Sequence, residues 1–285
     1  MTFSQGVNLQ WAKTFRGTTS TRTMGVAVDN NENVYTTGDF TGTIDFDPSV
    51  LEYNVTANGE DIYVSKMNSQ GELLWVKHFG DNYPVVSTGY AITVDNNGNV
   101  YVVGQFYSTI DFDPGPGVFN LSTTGSSDCF VLKLDTDGNF LWAKSFGGTS
   151  GDGATAVHLD PWGNVIVVGE FKGTADLDPN EGVYMKTALG STDFFVCKLT
   201  SSGETVWVES FGGINADTAT GVAVDQAGDI FVIGNFSSTV DFDPSGGDYS
   251  ITPAASTGYL LKLNPAGQLI WVRKMMNSTS NSNRS

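Results

Sequence analysis

The stretch Gly89–Phe106, GYAITVDNNGNVYVVGQF, holds two runs rich in branched and aromatic residues. The short turn NNG lies between them, the signature of a β-hairpin. Asp128–Phe146, DCFVLKLDTDGNFLWAKSF, repeats the plan around TDG. Four antiparallel strands in sequence order follow. No segment offers a helical period over ten or more residues without a glycine or turn break.

The same plan recurs along the chain. Trp11, Trp75, Trp142, Trp207 and Trp271 are spaced by 64–67 residues, and Gly38, Gly104, Gly169 and Gly234 by 65 or 66. Gly71, Gly138, Gly203 and Gly267 close the second hairpin of each copy. Gly98, Gly163 and Gly228 close the first, but Glu32 stands there in the first copy. That turn is therefore expected to differ or to carry strain. The copies span about residues 22–79, 88–146, 153–211 and 218–275, within one domain over 1–276. Residues 7–15 read as an extra outer strand, because five tryptophan strands exceed the four that the copies need. The polar tail 277–285 reads as disordered. Four strands per unit at a fixed period predict an all-β propeller of four blades. A solenoid of stacked hairpins is the competing all-β arrangement.

The unit is longer than the usual ~40–50 residues of a blade. About 20 extra residues sit between the second and third strands and form an acidic hairpin such as TIDFDPGPG, Thr109–Gly117. Its paired aspartates recur as Asp45/Asp47, Asp111/Asp113, Asp176/Asp178 and Asp241/Asp243. Strand alternation puts both carboxylates of a pair on one face. Ca²⁺ is the cofactor that such a face would take, since it prefers oxygen ligands. Asp39, Gln105, Glu170 and Asn235 recur after the glycine as a third oxygen. The plainer reading is a turn: Asp before Pro starts turns and accepts their N–H groups. The recurring Lys66, Lys133, Lys198 and Lys262 are expected to pair with these acids.

Net charge is −17, with 34 glycines and far more Asp than Glu. Phosphate binding needs a basic footprint, so a nucleic-acid partner is excluded, and anionic membranes are disfavoured. Membrane insertion is not expected, since no apolar run approaches the ~18 residues of a span. No signal peptide is visible. Cys129 and Cys197 sit in apolar runs and read as buried free thiols.

GVAVDNNENVYTTGDF, DIYVSKMNSQGELLWVKHFG and SDCFVLKLDTDGNFLWAKSFGG, with the DFDP excursion, resemble the bacterial β-propeller repeats known as SBBP repeats. More loosely they are similar to NHL repeats. The resemblance covers residues 9–275 and implies a secreted or cell-surface protein. It is specific for fold and weak for function.

Catalysis finds little support. His78 and His158 occupy non-equivalent positions, and no nucleophile elbow, HExxH or Walker loop occurs. Four equivalent carboxylate pairs argue for architecture rather than an active site. The expected function is a non-enzymatic, extracellular binding or structural module with a protein or glycan ligand. The alternative is a lyase or glycan-active hydrolase with a site in a central channel. Trp162, in the turn LDPWGN, breaks the repeat and is the best single contact candidate. If Trp162, His158, Glu170 and Tyr83 converge, the enzyme reading gains. Self-association through unpaired blade edges is a further expectation.

Overall fold

The computed structural model describes residues 9–80, 87–180 and 182–275. It is all-β, and its principal strands fall into four units. The first holds β1 (Thr21–Val28), β2 (Val34–Asp45), β3 (Asn54–Met67) and β4 (Leu73–Phe79). The second holds β5 (Thr88–Val94), β6 (Val100–Phe106), β7 (Asp128–Leu134) and β8 (Phe140–Gly148). The third holds β9 (Gly153–Leu159), β10 (Val165–Phe171), β11 (Asp193–Leu199) and β12 (Thr205–Phe211). The fourth holds β13 (Thr218–Val224), β14 (Ile230–Phe236), β15 (Thr257–Leu263) and β16 (Leu269–Lys274). In each unit consecutive strands pair antiparallel, so β5–β6–β7–β8 form one ladder and the other units follow suit. The first strands of successive units lie side by side: β1 by β5, β5 by β9, β9 by β13. No comparably broad contact joins β13 back to β1 among the described residues.

Core residues alternate between two faces of each sheet, as the period of a strand requires. In the second unit Tyr101, Val103 and Val131 pack forward on Val157, Val165 and Val167 of the third. Ile166, Val168 and Val196 of the third pack on Ile230 and Val232 of the fourth. The apolar core thus lies between sheets, and each unit is completed by its neighbour.

A polar contact accompanies each of these seams. The indole Nε1 of Trp75 donates to the Thr136 carbonyl at 3.1 Å, and Lys66 Nζ donates to the same oxygen at 2.9 Å. Trp142 and Lys133 converge in the same way on the Ser201 carbonyl, at 3.2 and 2.8 Å. Trp207 and Lys198 converge on the Pro265 carbonyl, at 3.1 and 3.2 Å. Each carbonyl lies two residues before the glycine of a second-hairpin turn. Those glycines, Gly138, Gly203 and Gly267, have φ of 77°, 86° and 83°, and a Cβ on each would meet the tryptophan ring at 3.1–3.2 Å. Glycine is required there twice over, for the left-handed backbone and for the ring. Trp11 repeats the contact on Ser69 and Gly71, at 3.0 Å from the carbonyl.

The N-terminal segment departs from the expected strand at 7–15, of which residues 7 and 8 lie outside the described residues. From residue 9 it forms no strand until Arg16–Gly17, which enters a ladder opposite Asp45 and Ile44 of β2. An outer strand normally pairs with a third strand, and no third strand pairs with residues 9–15 among the described residues. The expected tail at 277–285 also lies outside the described residues.

Glu32 occupies the same turn as its glycine counterparts rather than a different one. Its N–H donates to the Asp29 carbonyl at 3.0 Å, as Gly98 does to Asp95 at 2.9 Å. Its φ is 63°, so a side chain sits where L-residues are strained. Glu32→Gly is expected to stabilise the chain by about 0.5–1 kcal/mol, the strain relieved less the glycine entropy. Thermal melts of the two proteins check this; an unchanged or lower Tm contradicts it.

Candidate functional site

The acidic hairpins use their carboxylates as turn acceptors. Asp111 Oδ1 accepts the N–H groups of Asp113 at 3.0 Å and Phe119 at 2.7 Å, and Asp113 Oδ1 accepts that of Gly115 at 2.8 Å. Asp45 bonds Asp47 and Tyr53 in the same way, while Asp47 caps Ser49. Asp176 holds Asp178 and Tyr184, and Asp241 holds Asp243 and Tyr249. Asp178 Oδ1 accepts from the Asn180 N–H and the Thr205 hydroxyl, and Asp243 Oδ1 from the N–H and hydroxyl of Ser245. Each pair therefore shapes a turn, with at least one oxygen per carboxylate engaged.

The residue between the aspartates points the other way. Phe112 is buried and stacks on Phe79 of the preceding unit at 5.9 Å. Phe242 faces Phe211 at 6.5 Å, and Phe46 faces Phe15 at 4.8 Å. Leu177 takes this place in the third unit, in one cluster with Phe146. Gly147 and Gly148, at the end of β8 in the second unit, also pair with Asp176 and Ala175 of the third unit's hairpin. The hairpin is thus a staple between units.

The lysines do not reach these acids, contrary to the sequence expectation. They project from the third strand of a unit toward the next unit's turn. Lys198 also pairs with Asp160 at 3.0 Å, and both side chains are buried. Lys262 instead pairs with Asp229 at 2.7 Å. Alternation along the strand puts them on the far side of the sheet from the staple. Gln105 is likewise elsewhere, its Oε1 beside Gly153 of the following unit. Asp39 is buried and takes Arg22 Nε at 2.9 Å and Thr88 Oγ1 at 3.1 Å. Among the described residues no group of three or more His, Cys, Asp or Glu is placed to hold a metal.

The repeat-breaking residues separate. Trp162 is 64% exposed at the β9–β10 turn, and its ring rests against Gly228 of the next unit's turn. Nearby, His158, Pro161, Asp95 and Asn96 line a polar recess of about 330 Å³. His158 Nδ1 lies 2.8 Å from the Leu159 carbonyl. Glu170 sits at the opposite end of β10, opposite Gly153 in register. With Met24, Tyr90 and Gln105 it borders a recess of about 220 Å³ along the first strands. Tyr83 lies outside the described residues. Cys129 and Cys197 are both buried and free, and burial pushes both thiols up.

Buried carboxylate pairs at two seams escaped the sequence reading. Asp128 Oδ1 and Asp152 Oδ2 each lie 2.8 Å from the point where a Cβ on Gly147 would sit. Asp152 accepts N–H groups from Gly148 at 2.6 Å and Lys172 at 2.9 Å. Asp128 Oδ2 accepts from Thr124, while its Oδ1 has no partner. Asp193 and Asp217 occupy the equivalent places, and Asp193 Oδ1 is also unpartnered. At the first seam Ser87 replaces the second acid, and His78 Nδ1 meets Asp61 at 2.7 Å. The signal was present in the repeat, since Asp61, Asp128 and Asp193 align. Only the fold shows that Asp152 and Asp217 come from the following unit.

Burial, with the neighbouring carboxylate adding to it, pushes Asp152 and Asp193 up to about 6. Burial raises Asp128 and Asp217 as well.

Residues 74–112, from β4 through the second acidic hairpin, match the family model described as the SBBP beta-propeller repeat. This segment matches a β-propeller repeat of the SBBP kind. It is 25% identical over 233 residues to an uncharacterized WD repeat-containing protein of Acanthamoeba polyphaga mimivirus, covering 72% of this chain and 17% of that protein. It is 28% identical over 155 residues to the regulatory protein FlaEY of Caulobacter vibrioides, covering 53% of this chain and 16% of that one. The chain thus spans about a sixth of the length of these relatives. A solved structure of a protein of unknown function from Bacteroides caccae aligns over 89% of this chain and 81% of its own. The identity there is 10% and the TM-score 0.36. No helix of the described residues is long and apolar enough to cross a membrane.

The raised carboxyls fix a sign. A group whose pKa is higher in the folded chain stabilises fully below its unfolded value, near 4, and that contribution is lost as pH rises through about 6. Asp128→Asn places an amide donor at the unpartnered oxygen beside Asp152. The variant is expected to gain about 1–2 kcal/mol at pH 7, a rise of roughly 2–4 °C in Tm, and much less at pH 4.5. Melts at both pH values check this; an equal shift at both contradicts the coupling.

Proposed function

We propose that the four units are blades of a β-propeller that serves as a non-enzymatic, extracellular binding or structural module. The observation that carries this reading is the separation of the repeat-breaking side chains. Trp162 and His158 stand at one end of the third unit and Glu170 at the other, so among the described residues these side chains do not converge as a nucleophile, base and oxyanion donor would. Binding would use the turn rim, where a rigid exposed indole stands beside a polar recess. Trp162 is the anchor, and a protein or glycan surface is the ligand class. An indole supplies contact area at low entropy cost to either.

The aspartates of the hairpins serve the turn in this reading, because N–H donors already engage them. Addition of millimolar Ca²⁺ is then expected to leave the Tm unchanged. A rise of several degrees would instead assign a cation to Asp45, Asp47, Asp111, Asp113, Asp176, Asp178, Asp241 and Asp243.

Binding of the purified chain to glycan and protein arrays tests the function itself. Trp162→Ala is expected to weaken the hits by roughly tenfold or more, with no product released from any bound ligand. Hits indifferent to Trp162, or turnover of a bound glycan, overturn the reading.

A further inference from the structure

Every internal seam joins a forward face to a rear face, and the two outermost faces of the chain are one of each. Among the described residues only the segment around Trp11 and Phe15 lies along the rear face of the first unit. Val26 is 65% exposed, whereas its equivalents Ile92 and Val157 are 7% and 8% exposed. Around it Trp11, Phe15, Val34, Thr36 and Met67 line a largely apolar groove of about 510 Å³. The forward face of the fourth unit has no covering sheet among the described residues. Ile233 is 46% exposed, and its equivalents Val103 and Val168 are fully buried. Phe231 and Leu260 are partly exposed where Tyr101 and Val131 are buried.

The polar contacts of the seam are left incomplete in the same complementary way. Thr136, Ser201 and Pro265 each accept one indole and one ammonium at a single carbonyl. The Ser69 carbonyl accepts the Trp11 indole, while Lys13 packs on Gly71 of the same turn and no lysine ammonium donates to that carbonyl among the described residues. At the other end the Trp271 indole N–H finds no acceptor among the described residues, and Lys262 turns back on Asp229 and Asp225 of its own unit. One end lacks the ammonium of the pair, and the other holds an indole and a lysine with no carbonyl of a following turn to meet.

We infer that the fourth unit of one copy docks on the first unit of a second copy, forming a seam of the same kind as the three within the chain. Ile233, Phe231 and Leu260 enter the groove around Val26. Trp271 and Lys262 bind the Ser69 carbonyl, and Trp271 takes the place of Trp11. The contact is head to tail, so its repetition closes a ring or builds a filament. Two copies that meet at both ends make about eight units, within the usual ~4–8 of a closed propeller. The occupant is a second copy because the complementarity is that of the chain with itself, side chain by side chain. The inference is independent of the rim ligand proposed above.

Native mass spectrometry and light scattering over about 1–100 µM test it, at ~0.15 M salt to screen the acidic charge. A particle of about twice the 30.4 kDa chain mass, or a larger multiple, is expected. Ile233→Asp and Val26→Asp should each weaken association by at least about tenfold. Both sites are exposed in the single chain, so both variants should melt as the parent does. Leu141→Asp, on the exposed outer edge of β8, should leave the mass distribution as it was. Trp11→Ala should tighten association and Trp271→Ala loosen it. A single-chain mass at every concentration overturns the inference. So does a multimer unmoved by both aspartates, one dissolved by Leu141→Asp, or one that Trp11→Ala weakens.

Discussion

One backbone carbonyl per seam sets the geometry of this chain. It lies two residues before a left-handed glycine and accepts both an indole N–H and a lysine ammonium from the preceding unit. The glycine lets the turn curl and lets the ring lie flat against it. The lysine is drawn across the seam with its stem packed and its charge satisfied, which a buried ammonium requires. The oxygen thereby locks the rotation of one sheet on the next, while the apolar face beneath supplies area. Hydrophobic packing alone would tolerate sliding; two donors on one acceptor do not.

The third unit shows how the contact adapts. Where Tyr35 and Tyr101 lie under Lys66 and Lys133, Ile166 offers no ring. Lys198 instead pairs with buried Asp160, whose other bonds come from Trp162 and Asn164. Burial pushes the Asp160 carboxyl up, but hydrogen bonds from Asn164 and Lys198 outweigh it and hold the group below its usual range. The turn that presents Trp162 is therefore tied to the seam behind it. A rigid base of this kind suits an exposed aromatic anchor, because little side-chain freedom remains to be lost on contact.

The repeat made much of the architecture legible. Alternation and Asn-Gly or Asp-Gly turns marked the hairpins, and Trp and Gly at fixed spacing marked the units. What it hid were relations between units. Lys133 looked like a partner for Asp111 because the two are near in sequence; its true acceptor, Ser201, is 68 residues away. The Asp128–Asp152 pair joins two copies across a seam, and a reading by copies separates its members. Glu32 breaks the glycine pattern of the first-hairpin turns, and the structure shows strain accepted rather than a turn redrawn. Spacing alone offers Gln105 as a third oxygen ligand, but the strand carries it to the first-strand side, beside Gly153 and opposite Thr88, away from the hairpin.

The stapling hairpin bears on how the molecule comes apart. Its buried Phe112, Leu177 or Phe242 plugs the cluster of the unit before, and at the third unit its backbone joins that neighbour's outer strand as well. In a linear array, stability is a sum of unit terms and nearest-neighbour terms. Staples of this kind shift weight from the first to the second. A single unit peeled away would strip apolar cover and ladder bonds from its neighbour. The array should then melt as one cooperative block, and fraying should begin at an uncovered end rather than in the middle.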